Sequence, residues 1–301
     1  MSASVLYDHP GPRARLRNRA LSVVVVALLL AGAYWVYRAF DAKGQWDWKK
    51  WQPFFQEMPN PGGAPVNVWT DYIVPGLVGT LTAAATAMVL ALAFGLLFSV
   101  ARLSEHAWIR VPSGMVVEFF RAVPLLLMIF FLVYGGYYVF GTAVPAFWAV
   151  VIGLTLYNGS VLAEAFRAGI RAVPGGQAEA AYSLGLVKSQ VMRLILIPQA
   201  ARSMLPVIVS QLVVVLKDTA LGYIVAYSEL MLEGSKIYAN YNNVVPVFLV
   251  LAAIYIVINA TLTLIAHLLE RRANRRGVAT PAARLGAANA AASGVGGGGG
   301  A

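Results

Sequence analysis

The sequence predicts an all-α, polytopic membrane protein with six transmembrane helices, and three observations lead there. Of its 301 residues 59% are hydrophobic and only 12% are charged, about half the charge a soluble domain carries. The apolar residues gather into six stretches, each near the roughly 20 residues that cross a ~30 Å hydrocarbon core. Basic residues concentrate in alternate connections, as the topology of a multi-spanning chain requires. A soluble enzyme is thereby excluded, and so is disorder over most of the length. The chain has no cysteine, so disulfides, thiol catalysis and Cys-based metal sites are excluded. His9, His106 and His267 are scattered, and no metal centre is expected.

The first span is expected at about 20–37, in the run VVVVALLLAGAYWVY. An Arg-rich segment followed by an apolar run is also the order of a secretory signal. The chain continues YRAFDAKGQWDWKKW, without a small-x-small cleavage site, so a retained helix is expected. Trp35, Trp46, Trp48 and Trp51 read as an interfacial aromatic cluster. The other spans are expected at about 72–101, 115–140, 144–166, 204–226 and 244–269. The expected organisation is a basic segment 1–19, a first helix 20–38, an extracytoplasmic loop 39–71, a core domain 72–272 and a tail 273–301. The tail is Ala/Gly-rich, ends in GVGGGGGA and reads as flexible.

Orientation follows from Lys and Arg. Arg13, Arg15, Arg17 and Arg19 precede the first span, and Arg102 and Arg110 follow the second. Arg167, Arg171, Lys188, Arg193 and Arg202 follow the fourth, and Arg271, Arg272, Arg275, Arg276 and Arg284 follow the sixth. The opposite segments hold Arg38, Lys43, Lys49, Lys50 and Lys236 against Asp41, Asp47, Glu57, Asp71, Glu229 and Glu233. Both termini are therefore expected in the cytoplasm. The net charge of +10 is topological, and nucleic acid is not an expected partner.

No phosphate-binding P-loop, H-E-x-x-H or G-x-S-x-G motif is present. The chain is expected to be non-catalytic and to bind no cofactor itself, drawing energy from a partner or an ion gradient.

The connection 164–202, EAFRAGIRAVPGGQAEAAYSLGLVKSQVMRLILIPQAAR, is long and semi-apolar. Pro174, Gly175 and Gly176 break the preceding helix. A short helix over 177–187 then carries Ala178, Ala180, Ala181, Ser183 and Gly185. Its small residues suit insertion into a cleft of another protein. An amphipathic helix on lipid headgroups is the competing reading.

The spacing Glu179-Ala180-Ala181-x3-Gly185-x9-Ile195-x-Ile197-Pro198 resembles the signature of permease subunits of bacterial ATP-binding-cassette importers. Ile197 stands where Leu is usual, a volume-conserving change. Five flanking motifs resemble the polar amino-acid importers. They are Glu118-Phe119-Phe120-Arg121-Ala122-Val123-Pro124, Ala163-Glu164-x2-Arg167-x-Gly169-Ile170, Val173-Pro174-x-Gly176-Gln177, Pro198-Gln199-Ala200-x-Arg202 and Lys217-Asp218-Thr219. The resemblance covers about 72–272. The added first span, Trp-rich loop and Gly tail are similar to the larger glutamate permease subunit of actinobacteria. It implies a five-helix permease core and a cytoplasmic coupling helix that docks into a separate ATPase through Gln177, Glu179, Ala180, Ala181 and Gly185. The implied partners are two cytoplasmic ATPases holding ATP and Mg, a second permease (homologous or identical), an extracytoplasmic solute-binding protein and membrane lipid. The implied location is the bacterial plasma membrane.

Within the core, Ala83, Ala87, Ala91, Gly95 and Ser99 form a small-residue stripe, for which packing within this chain is the expected reading. Glu118 and Arg121, three apart, are expected to form a structural ion pair on one helix face. Tyr157, Ser160 and Glu164 share a face of the fourth span. On the fifth, Ser210 with Lys217 and Gln211 with Asp218 form two polar stripes, followed by Thr219. Ionisable groups inside a span are costly and mark functional positions. Tyr157, Ser160, Glu164, Gln211, Lys217, Asp218 and Thr219 are therefore substrate-path candidates, with interhelical locking the alternative for Lys217 and Asp218.

The function these readings imply is translocation of glutamate or another polar amino acid, with ATPase closure coupled to alternating access. The binding protein would dock on external surfaces such as 226–243, AYSELMLEGSKIYANYNN. Two rivals stand beside it. One is an ion-driven secondary transporter using Glu164 or Asp218, which the small-residue cytoplasmic helix argues against. The other is a membrane scaffold, which the intramembrane charges argue against.

Overall fold

The computed structural model describes residues 11–59 and 62–277. Among the described residues five helices are long and apolar enough to span a membrane: Pro12–Asp41, Trp69–Arg102, Ala146–Arg171, Ser203–Val225 and Val244–Ala266. The expected third span, 115–140, is not one straight helix. Its place is taken by Ala107–Ala122 and Leu125–Val139, which meet at 99°. The cause is Pro124, which has no N–H to continue the ladder and drives Val123 out of the helical region, to φ −79° and ψ 127°.

The contacts divide the chain into two compact units. The first joins Met1–Val68 to Ile237–Leu249. It contains α1 (Pro12–Asp41) and the short α2 (Trp48–Trp51). Pro12 sits in the first turn of α1, where its missing N–H costs nothing, and no residue of α1 is buried. The helix begins inside the basic segment that was expected to precede it. Trp46 stacks on Tyr37 at 5.5 Å and donates to the Tyr37 carbonyl at 3.2 Å. Trp48 stacks on Phe55 at 5.2 Å. Trp51 lies 6.4 Å from Phe54, and Trp35 is 72% exposed on α1. Each of the three loop tryptophans packs on a different Tyr or Phe ring. Lys50 donates to the Asn242 carbonyl at 2.7 Å, and Asn243 donates to the Lys50 carbonyl at 3.0 Å. The segment 237–249 thus packs with the loop 39–68, interrupting the expected continuous core domain.

The second unit joins Trp69–Lys236 to Val250–Ala301. Its centre is the pair α3 (Val74–Arg102) and α7 (Ala146–Arg171). All five residues of the small stripe are buried. A Cβ on Gly95 would lie 2.9 Å from the Leu162 Cβ and 3.1 Å from the Gly159 carbonyl oxygen. The stripe is a seam within this chain, because only small side chains let two helix backbones approach that closely. Around it lie α4 (Ala107–Ala122), α5 (Leu125–Phe130) and α10 (Ile197–Asp218), and α6 (Gly136–Phe140) follows α5 in the chain. Leu125, Met128 and Ile129 from α5, Val150 and Leu154 from α7, and Leu216 from α10 fill the core.

Between α7 and α10 come α8 (Gly175–Ser183) and α9 (Lys188–Val191). After α10 the chain tightens into a 3-10 turn, Thr219–Val225, and leaves it through Ala226 in the left-handed region at φ 56°. The expected external surface 226–243 contains α11 (Leu230–Tyr241), in which Lys236, Ala239 and Asn240 are exposed while Leu230, Glu233 and Ile237, with the preceding Glu229, are buried. The last helix, α12 (Val244–Gly277), continues through 273–277, where a tail was expected. The Ala/Gly sequence from 278 onward, the segment 1–10 with His9, and the side chains of Arg202 and His267 lie outside the described residues.

Candidate functional site

The segment 172–191 is built around one glycine. As expected, α7 ends at Arg171, just before Pro174. Pro174 then precedes α8 with φ −53° and ψ 129°, and Gly175 and Gly176 open the new helix. At the other end Gly185 adopts φ +79°. The Gly185 N–H donates to the Tyr182 carbonyl at 2.9 Å, and the Leu186 N–H donates to the Ala181 carbonyl at 3.2 Å. These two bonds make a Schellman stop, whose left-handed residue is most often glycine. The helix is therefore shorter than the expected 177–187. Nothing lies within 4 Å of where a Gly185 Cβ would sit, so its conformation, and not crowding within the chain, demands glycine. Gln190 then accepts from the Val187 N–H at 2.9 Å and starts the next helix.

Ala181 is buried against its own chain, whereas Gln177, Glu179 and Ala180 face outward. Leu184 is 83% exposed at the tip. Two polar contacts brace the segment. Gln199 donates to Gln177 at 3.3 Å, and Lys188 meets Glu105, in the turn between α3 and α4, at 2.6 Å. The adjacent Lys188 ammonium holds the exposed Glu105 carboxyl below its usual range.

The predicted ion pair of Glu118 with Arg121 does not form among the described residues. Glu118 meets Arg102 at 3.3 Å instead, because α3 returns beside α4 and offers a nearer guanidinium. Arg102 also meets Glu164 at 2.9 Å, and Arg167 pairs with the same carboxylate. Glu164 is thus held between two arginines.

The two polar stripes of α10 separate. Ser210 and Lys217 face outward, and Ser210 donates to its own helix at the Pro206 carbonyl, 2.9 Å away. Gln211 is buried and Asp218 half-buried. Lys217 and Asp218 form no salt bridge among the described residues. Gln211 donates to the buried Asn158 of α7, whose own amide donates to the Leu154 carbonyl at 3.0 Å. Thr219 is buried, and its hydroxyl returns to the Leu216 carbonyl at 2.7 Å. Ser160 is buried, its hydroxyl without a partner among the described residues, and Tyr157 is half-buried. A cavity of about 510 Å³ beside α4 and α5 is apolar, lined by Phe119, Phe120, Met128, Phe131 and Leu156 among others. Tyr157, Ser160, Glu164, Gln211, Lys217, Asp218 and Thr219 are not among the residues that line it.

Sequence reading missed three residues. Asn158 lies next to Tyr157, and a mid-span amide is signal enough to pair it with Gln211. Arg102 was counted only as a topological charge, yet it joins α3, α4 and α7. Glu229 was counted only as an external acid. It is fully buried and caps α11, accepting from the N–H groups of Met231 at 2.8 Å and Leu232 at 2.7 Å. Burial outweighs those bonds and raises its pKa to about 7. Nearby, the Leu230 N–H donates to Thr80 at 3.1 Å, and Tyr227 donates to the Gly79 carbonyl at 2.8 Å.

Comparison with known proteins gives concordant matches. The glutamate transport system permease protein GluD of Corynebacterium glutamicum is 41% identical over 234 residues, 77% of this chain and 82% of that protein. The probable glutamine ABC transporter permease protein GlnP of Bacillus subtilis is 34% identical over 67% of this chain and 93% of its own. A solved chain from the crystal structure of an amino acid ABC transporter with histidines is 32% identical. It covers 68% of this chain and 95% of that chain, with a TM-score of 0.63. A family model described as binding-protein-dependent transport system inner membrane component matches residues 91–275. That match takes in the α8 segment, the arginine-held Glu164 and the bridge of Asn158 with Gln211. By sequence and by fold, this multi-pass membrane protein belongs to the family of inner-membrane components of binding-protein-dependent transport systems.

Proposed function

We propose that the chain is the translocation subunit of an ATP-driven importer of glutamate or a related polar amino acid. The similarity to GluD and to amino-acid permeases supports the substrate class. In this reading α8 is the coupling helix, and it inserts into a groove of a cytoplasmic ATPase. The observation that carries the reading is the defined extent of α8, which Pro174 starts and Gly185 stops. Its outward side mixes Gln177, Glu179, Ala180 and Tyr182 without a continuous apolar stripe. A helix lying on lipid needs such a stripe, so docking to protein is the better account. Two ATPases, each with ATP and Mg, would drive the movement, and an extracytoplasmic binding protein would deliver substrate. Both termini would face the cytoplasm.

A second permease, homologous or identical, completes the path. Lys217 supports this part. It lies in the candidate span Ser203–Val225 yet is exposed on the isolated chain. A lysine facing lipid there is costly, so that surface borders another permease or the water-filled path between them. Tyr157, Ser160, Glu164, Gln211, Asp218 and Thr219 contribute to the same path or to the helix contacts beside it.

The test is uptake of labelled glutamate and other amino acids into proteoliposomes holding the permeases, the ATPase and the binding protein. Uptake that requires ATP hydrolysis and the binding protein agrees with the proposal. Uptake by the permease alone, driven by an ion gradient, contradicts it.

A further inference from the structure

We propose that the junction of α3, α4 and α7 is a binding site for the phosphate headgroup of an anionic lipid. A cavity of about 340 Å³ opens there, lined by Arg102, Arg110, Arg167, Arg171 and Glu118, with Gly114 in its wall. Arg102 and Arg171 are the final residues of two candidate membrane spans. The cavity therefore sits where hydrocarbon gives way to headgroups, whichever way the chain is oriented.

Its charges do not cancel. Glu118 and Glu164 answer Arg102 and Arg167. Among the described residues Arg110 donates only to the neutral carbonyls of Ser104 and Glu105, at 3.2 and 3.1 Å. Arg171, in the last turn of α7, has no acidic partner among the described residues. Two guanidiniums remain for an anion, and their fork geometry suits phosphate oxygens. At Gly114 the nearest atom to a Cβ position is the Arg102 Nε at 3.9 Å, so that wall is open.

Beside the basic lining, α4 exposes Trp108 at 74%, Val111 at 48% and Met115 at 66%. A free phosphate has no use for that apolar flank. A lipid places its headgroup on the arginines and its acyl chains along α4. Basic pockets between spans hold anionic headgroups in this way, so the lipid is the favoured source of the phosphate.

The experiment uses the full permease complex in nanodiscs of phosphatidylcholine and phosphatidylglycerol in equal parts. Bound lipid is read by native mass spectrometry after release. Arg110→Gln and Arg171→Gln are chosen because neither residue holds an ion pair among the described residues. The lysine pair, Arg110→Lys with Arg171→Lys, serves as a charge-retaining control.

The wild type is expected to retain phosphatidylglycerol over phosphatidylcholine. Each Gln substitution should weaken retention about fivefold and the pair about thirtyfold at low salt, at ~1 kcal/mol per basic residue. The lysine pair should keep part of the retention. Equal retention by wild type and the double Gln variant overturns the proposal. So does displacement of the lipid by millimolar inorganic phosphate, which makes free anion the ligand. Loss of the ATPase from the double Gln variant, with lipid retention unchanged, assigns the arginines to a protein contact and equally overturns it.

Discussion

At the residue scale, buried polar groups decide more than their number suggests. Gln211 and Asn158 are buried amides bonded to each other across α7 and α10. Gln211→Leu leaves the Asn158 oxygen unpaired in an apolar seam, and we expect a loss of about 1 kcal/mol in stability. Replacing both by Leu should recover part of that loss, read as the melting temperature in detergent. Glu229 gives a pH dependence with a definite sign. Its pKa is raised from 4.5 to about 7 in the folded protein, so the folded state holds the proton more tightly than the unfolded one. Stability therefore falls as pH rises between those values, by roughly 3 kcal/mol at most. The groups facing it are Tyr255, whose hydroxyl lies 3.4 Å away, and Glu233, whose charge adds to the rise. Glu229→Gln should flatten the dependence, checked by melting temperature from pH 5 to pH 8.

At the scale of elements, Gly185 is the position where the backbone geometry of α8 tests the proposed coupling role. With φ +79°, any side chain there is strained, at a cost of about 1–2 kcal/mol for ordinary residues and less for Asn. Gly185→Asp should leave the protein inserted and expressed while uncoupling ATP hydrolysis from uptake. Gly185→Asn should be milder, because Asn adopts the left-handed region more readily. Both are compared by uptake and ATPase activity in one preparation. The helices themselves were legible in the sequence because length and apolarity are local properties. So was the α3 seam, whose four-residue repeat of small side chains is written in one stretch of chain. The break at Val123 was written there too, in Pro124, but apolarity runs through it and hid the bend. The pairing of Glu118 with Arg102 was not legible, since it joins residues 16 apart across a turn. The same is true of the buried side of α11, which lies in a stretch read only as an external surface. Glu229 and Thr80, 150 residues from Leu230, supply the partners that let it fold as a partly buried helix.

At the scale of the whole molecule, the charged residues carry the evidence for partners. Lys217 is exposed within a candidate span, and Glu179 is exposed on a helix that leaves its small outward residues uncovered. Each makes sense if another protein completes the surface. The central claim is that α8 is gripped by a separate ATPase, and the chain is suited to a direct test because it contains no cysteine. A single Glu179→Cys variant, co-expressed with the ATPase carrying one cysteine in its cytoplasmic groove, gives a background-free cross-linking measurement. We predict a cross-linked permease–ATPase product whose yield changes with bound nucleotide. Free reaction of the introduced α8 thiol with a water-soluble maleimide in the assembled complex, with no cross-linked product in any nucleotide state, would contradict the account.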